Sequence, residues 1–364
     1  MNKIKAFLAR KGVVCSFRQY SVDALGAMAQ GLFCTLLVGT ILNTLGQQLH
    51  IGFLTAPVVS VGTVSYTVGG LASAMVGPGI AVAIGTALHC PPLVLFSLIP
   101  VGFAANAMGG AGGPLAVYAV TIIAAELGKL VSKETRIDIL VTPCVTVIAG
   151  IAVAQLIAAP IGTAARAVGL AIMWATELQP FFMGVLVSAL IGIALTLPIS
   201  SAAICAAFGL TGLAGGAAVA GCCAQMVGFA VMSFKENRWG GLMAQGVGTS
   251  MLQMPNILKN PRIWIPPTLA SMITGPLATC VFKLQMNGSP VSSGMGTCGF
   301  VGQIGVYTGW VSDIAAGTKA AITPMDWIGL VLICFILPAV LSTLFCRVLE
   351  KRGWIREGDM KLDL

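Results

Sequence analysis

Charge is what this sequence has least of. Only 9% of its 364 residues are Asp, Glu, Lys or Arg, against about 25% in a soluble globular domain. Not one of them occurs between Asp23 and Glu126, and a second charge-free stretch runs from Glu177 to Lys235. No water-facing surface can be built from such runs, which excludes a soluble enzyme, a nucleic-acid binder and a disordered scaffold. Histidine is nearly missing too, with two in the chain. Without CxxC pairs beside them, the ligands of a structural zinc site are lacking and no metal is expected. Gly294-x-Gly296-x-x-Gly299 matches the dinucleotide fingerprint as a string. The strand and helix that this fingerprint needs are absent, so no cofactor is expected.

What the chain has in excess is apolar surface, 57% hydrophobic residues, together with 45 glycines and 18 prolines. A hydrocarbon core about 30 Å thick takes about 20 apolar residues per helix. The fold class is therefore an all-α polytopic membrane protein with about ten transmembrane helices. The pattern predicts spans over 21–48, 55–76, 78–110 (with a short helix ahead of the Pro91-Pro92 break), 114–131, 137–159, 180–197, 199–214, 217–234, 263–285 and 324–348. Residues 161–179, with Arg166 and Glu177, suit an amphipathic helix at the interface. Lys3, Lys5, Arg10, Lys11 and Arg18 precede the first span, and Arg347, Lys351, Arg352 and Arg356 close the last. Basic residues at span ends mark the cytoplasmic side, so 1–20 and 349–364 read as cytoplasmic segments and the span count as even. These charges flank helices rather than form an aromatic-lined patch, so nucleic acid is not an expected partner.

Two stretches resist a helical reading, 240–262 and 287–305. Irregular backbone at membrane depth is tolerated only when buried in protein or lining a watery cavity, and transporters build substrate sites from such broken segments. The organisation expected is a scaffold half over 21–160 and a substrate-binding, transporting half over 180–348, with re-entrant segments near 240–262 and 287–305. The candidate substrate residues are Ser200, Ser201, Gln225, Thr249, Ser250, Gln253, Asn256, Thr297 and Gln303. Hydroxyls and amides both donate and accept, which suits a small neutral polar solute. Glu177 and His89 are candidates for gating, against a plain interfacial or helix-end role. Glu126 and Lys129, three residues apart, are expected to pair on one helix face. The eleven cysteines read as small buried hydrophobes, with Cys222-Cys223 the one pair that could serve as a thiol or soft-metal site. Gly109, Gly110, Gly112 and Gly113 suit close helix contacts or a tight hairpin.

The runs TLPISSAAI (196–204), GCCAQMVGFAVMS (221–233), GTSMLQMPNILKNPRIWIPPTLAS (248–271) and GMGTCGFVGQIG (294–305) resemble type 2 enzyme IIC proteins. These are relatives of the sugar-translocating subunit of the bacterial phosphotransferase system and include PfoR-type regulators. The likeness covers roughly 15–345. It implies a homodimer in the bacterial inner membrane, a dimerising first half, a mobile second half, and cytosolic IIA- and IIB-type phosphoryl carriers as partners. Fructose- and glucose-type relatives carry a sugar-binding glutamate in a Gly-Ile-Thr-Glu run. Here the matching positions are Gly248, Thr249, Ser250 and Met251, and methionine cannot replace a carboxylate on sugar hydroxyls. Three activities stay open: an elevator-like permease for a sugar-like solute, a sensor that binds without transporting, and a sugar phosphotransferase subunit with its carriers supplied in trans.

Overall fold

The computed structural model describes residues 7–8, 10–13 and 16–362; Lys3, Lys5 and Cys15 lie outside the described residues. Among the described residues, five segments are long and apolar enough to cross a membrane: Arg18–Gln48, Pro92–Val131, Asp138–Thr176, Gly212–Met232 and Pro324–Lys351. A sixth arises if Val68–Ala74 and Val76–Ala87, bent by 54° at their junction, count as one span. The segment Pro92–Val131 is not one rod. The backbone turns at Gly110, whose φ is +52°, and the helices Pro92–Gly109 and Gly113–Val131 fold back on each other. Gly128 thereby faces Val94, and Gly113 faces Asn106. The glycine cluster is the hairpin that its composition suggested. The protein is an all-α membrane protein.

The chain forms two compact units, Met1–Ala164 and Ala165–Leu364, whose boundary falls inside the helix Asp138–Thr176. In the first unit, Arg18–Gln48 packs on the bent pair through Gly31 against Gly79 and Gly39 against Ser73. Small residues let backbones approach in lipid, where packing rather than water exclusion joins helices. The span expected over 55–76 is not helical at its start. Val59–Val61 and Val64–Tyr66 form an exposed antiparallel hairpin, tied by Ser60 and Ser65 hydroxyls at 2.9 Å. Its two-residue turn places Gly62 at φ +60°, the conformation that suits a glycine-first hairpin turn. The helix expected to stop at Pro160 runs on to Thr176, so 161–176 is the end of a long helix and not a separate one. The expected pair forms: Lys129 Nζ lies 3.1 Å from Glu126 Oε1, with Lys129 buried. Arg10 and Lys11 both bind Glu134 in the following loop.

In the second unit the helix Gly212–Met232 is the core, buried along almost its whole length. Pro180–Thr196 runs parallel to it, since Gly221 meets Ser188 and Gly192 meets Gln225. Two consecutive parallel helices require the chain between them to return. It does so over 197–211 with only a seven-residue helix, Ser201–Ala207, where a full span was expected over 199–214. Ile265–Pro276 runs antiparallel to both, with Gly275 on Gly184 and Pro267 on Gly228. Residues 287–305 form the tip of a hairpin rather than a loop. Val301–Ala315 is a helix, Gly309 packs on Asn287 and Gly305 on Ser292. The tip carries Gly296 at φ +54° and Gly299 at φ +51°, and Gly296 rests on Cys222, halfway along the core helix.

Candidate functional site

Gln225 lies near the middle of Gly212–Met232 and is fully buried. An amide in that position must find partners, because lipid and apolar side chains offer none. Its Oε1 accepts from Trp264 Nε1 at 3.0 Å and from Thr196 Oγ1 at 3.3 Å. Its Nε2 donates to Thr268 Oγ1 at 3.1 Å. Thr196 Oγ1 also meets Ser250 Oγ at 2.8 Å. Each member arrives from a different break in the chain. Thr196 is the last residue of Pro180–Thr196. Ser250 opens a 3₁₀ turn, Ser250–Gln253, that follows the π-helical turn Ala244–Gly248. Trp264 and Thr268 enter on the turn and helix that follow Asn260. No charged group belongs to the cluster. A shallow cleft of about 270 Å³, walled by Ile193, Pro261, Ile265 and Leu269, opens onto Trp264 and Thr268.

Gln253 and Asn256 belong to a second network. Gln253 Nε2 donates to Gln245 Oε1 at 2.8 Å and to Met360 O at 3.0 Å. Asn256 Nδ2 donates to Gln253 Oε1 at 2.9 Å and to Lys361 O at 2.8 Å. Gln245 in turn donates to Ser233 Oγ at 2.8 Å. Glu236 and Asn237 complete this wall against the segment 353–362. Burial pushes the Glu236 carboxyl up from its ordinary value, against the N–H groups of Gly358 and Met360 that it accepts.

Ser201, Thr297 and Gln303 meet at a third place, the hairpin tip. Ser201 Oγ donates to Gly294 O at 2.7 Å, Thr297 Oγ1 to Met226 Sδ at 3.5 Å, and Gln303 Nε2 to Cys223 Sγ at 3.2 Å. Gln303 Oε1 is buried without a partner. Two candidates are caps: Ser200 Oγ accepts from Ala203 N at 3.1 Å and Thr249 Oγ1 from Met251 N at 3.2 Å. Glu177 is exposed on the turn after Asp138–Thr176, and His89, at φ +54°, is exposed in the first unit. Neither belongs to these three networks. Thr196, Trp264 and Thr268 were not singled out by the sequence. The signal available was their position, just before Pro198 and around Pro266-Pro267, where helices must break and backbone partners run short.

Buried polar clusters hung on broken helices in a multi-pass helical membrane protein are the build that transporters use for substrate sites. Residues 22–362 match the model of the phosphotransferase system EIIC family. The chain therefore belongs to that family, as a membrane component that works with other parts of the phosphotransferase system. Comparison with curated proteins and with solved structures gave no match.

Proposed function

We propose that the chain moves a small, neutral, sugar-like solute across the bacterial inner membrane. The solute engages Gln225, Ser250, Thr196, Trp264 and Thr268. The observation that carries this reading is a charge-free set of hydroxyls and an indole N–H, brought from three separate chain segments to a fully buried amide on the core helix. Such groups exchange bonds among themselves for bonds to solute hydroxyls without leaving an ion unpaired. In this reading 180–348 is the mobile, elevator-like half, 21–160 the scaffold that dimerises, and the segments near 240–262 and 287–305 are re-entrant. With Arg10 and Lys11 at one end and Arg347, Lys351 and Arg352 at the other, both termini face the cytoplasm, where IIA- and IIB-type carriers dock.

The test is binding and flux in proteoliposomes with a panel of labelled hexoses and hexitols. Gln225→Ala and Ser250→Ala are expected to abolish binding while the folded protein is retained; unchanged binding removes the cluster from the site. Flux that requires added cytosolic carriers identifies the phosphotransferase activity. Gln253 and Asn256 each give an amide N–H to a main-chain carbonyl of the segment 353–362, which favours a second reading, a PfoR-type sensor. Binding without flux under any carrier condition selects it.

A further inference from the structure

After the last long helix the chain turns through Gly353, at φ +69°, and lies as a strap across the wall built by 233–260. The wall reads main chain. Glu236 accepts from Gly358 N at 3.0 Å and from Met360 N at 3.1 Å. Asn237 donates to Met360 O and accepts from Leu362 N, both at 2.8 Å. Gln253 takes the other side of Met360 O, Asn256 takes Lys361 O, and Asn260 donates to Trp354 O at 2.9 Å and to Asp359 Oδ2 at 2.7 Å. The N–H groups taken come from residues 358, 360 and 362, and 357–360 is a turn closed by Asp359 N to Arg356 O at 3.1 Å, so the wall grips the main chain of a folded-back peptide. Side-chain recognition adds two buried anchors, Ile355 and Met360, the Asn260–Asp359 bond, and Arg262 stacked on the Trp354 ring at 5.2 Å.

We propose that the wall formed by Glu236, Asn237, Gln253, Asn256 and Asn260 is a peptide-binding groove, and that its ligand is the strap 353–362, held exchangeably in cis. Exchange follows from how the strap is held. The strap forms no helix or strand of its own, its charges Arg356 and Glu357 are exposed, and it buries few apolar groups, so its opening is a local event. A pocket of about 230 Å³ remains between Asn256 and Lys259 on one side and Gly358, Asp359 and Lys361 on the other, so the fit is incomplete. When the strap leaves, five side chains that had main-chain partners face an open groove. Gln253 is one of them, and it ends the same turn that Ser250 begins.

Two measurements test the groove. In the intact chain, hydrogen exchange of the Gly358, Met360 and Leu362 amides is expected to proceed as one group, at least tenfold faster than in Pro324–Lys351. Glu236→Gln and Asn237→Ala should speed that group a further several-fold and leave the helix unchanged. A fluorescent peptide of sequence 353–364 should bind a chain ended at Arg352, weaken with Asn237→Ala, and bind the intact chain at least tenfold more weakly. Strap amides that exchange only with the helix overturn the proposal, and so does a peptide that ignores a shortened chain of unchanged thermal unfolding. Should the shortened chain fail to fold, the exchange data on the intact chain decide alone. None of these readouts uses the solute, so they stand or fall apart from the transport reading.

Discussion

The two units use the same residue types for opposite purposes. In the first, hydroxyls on helices mostly bond back to their own helix: Thr35 to Gly31 O, Thr40 to Leu36 O, Thr86 to Val82 O, Ser97 to Leu93 O and Thr146 to Thr142 O. A hydroxyl satisfied one turn earlier is silent towards neighbours, and these helices meet through glycine and alanine. In the second unit some hydroxyls do the same, but many bonds run between segments: Ser188 to Ser271 O, Ser201 to Gly294 O, Ser293 to Leu210 O, Thr279 to Pro180 O, and the Gln225 cluster. The difference comes from chain breaks. An unbroken helix satisfies its own carbonyls and leaves neighbours nothing to bond. A helix interrupted at 197–200, 244–250 or 294–300 exposes carbonyls and amides that side chains from elsewhere can reach.

If that contrast is right, the largest effect falls on Gln225. Gln225→Leu leaves Trp264 Nε1 without an acceptor and Thr268 Oγ1 without the amide N–H it accepts, both in a water-poor site. Interhelical hydrogen bonds in membranes average about 0.6 kcal/mol and reach about 1.7. Losing three bonds at one amide should therefore lower stability by about 2 kcal/mol, read from thermal unfolding in detergent. Thr146→Val in the first unit, which removes a bond within one helix, should change it by less than about 0.5 kcal/mol. Equal losses at the two positions would break the comparison.

A smaller effect isolates a single bond. Ser188 Oγ reaches Ser271 O at 2.7 Å and has a weaker alternative in Val185 O at 3.2 Å. Ser188→Ala should cost about 0.6 kcal/mol, less than Gln225→Leu and more than Ser97→Ala, whose bond is again within its own turn. Because Gly275 and Gly221 both press on Ser188, Ser188→Thr tests shape separately and should destabilise through crowding.

The membrane class and most helices were legible because a run of apolar residues without charge has one physical outcome. What composition could not decide was the geometry inside such runs. Val59, Val61, Val64 and Tyr66 are as apolar as any helix residue, yet their alternation with Ser60 and Ser65 around Gly62 belongs to a hairpin. Pro160 was expected to end a helix, but Pro removes one N–H and the helix Asp138–Thr176 continues past it. Val301–Ala315 was hidden because its Gly302, Gly305 and Gly309 look like loop and serve as contact points for the returning hairpin. At the site, Gln225 stood out as a lone amide in an apolar helix. Thr196 and Thr268 did not, because a threonine in a helix usually bonds its own turn, and Thr268 does that as well, to Trp264 O at 2.8 Å.

The smallest expected effect concerns how each unit holds a segment near its end of the chain. The second unit grips its strap mainly with buried amides; the first ties residues 10–13 to the loop at 132–134 with charges. Lys11 reaches Ser132 O and Glu134, and Arg10 reaches Glu134 at 2.9 Å. The hydrogen bond from Lys11, then the charges of Lys11 and Arg10, hold the Glu134 carboxyl below its ordinary 4.5. A carboxyl with a lowered folded value favours the tied state fully above that ordinary value. It loses this contribution as pH falls through the folded one. Hydrogen exchange in 10–13, corrected for the intrinsic pH dependence of amide exchange, should therefore be level above the ordinary carboxylate value and rise as pH falls through the lowered folded one. Glu134→Gln should remove the step. The rise will be small, because an exposed pair contributes little, and added salt should shrink it further. Protection of 10–13 that persists in Glu134→Gln without any step would assign the tie to the Lys11–Ser132 carbonyl bond instead, and the first unit would then hold its segment as the second holds the strap.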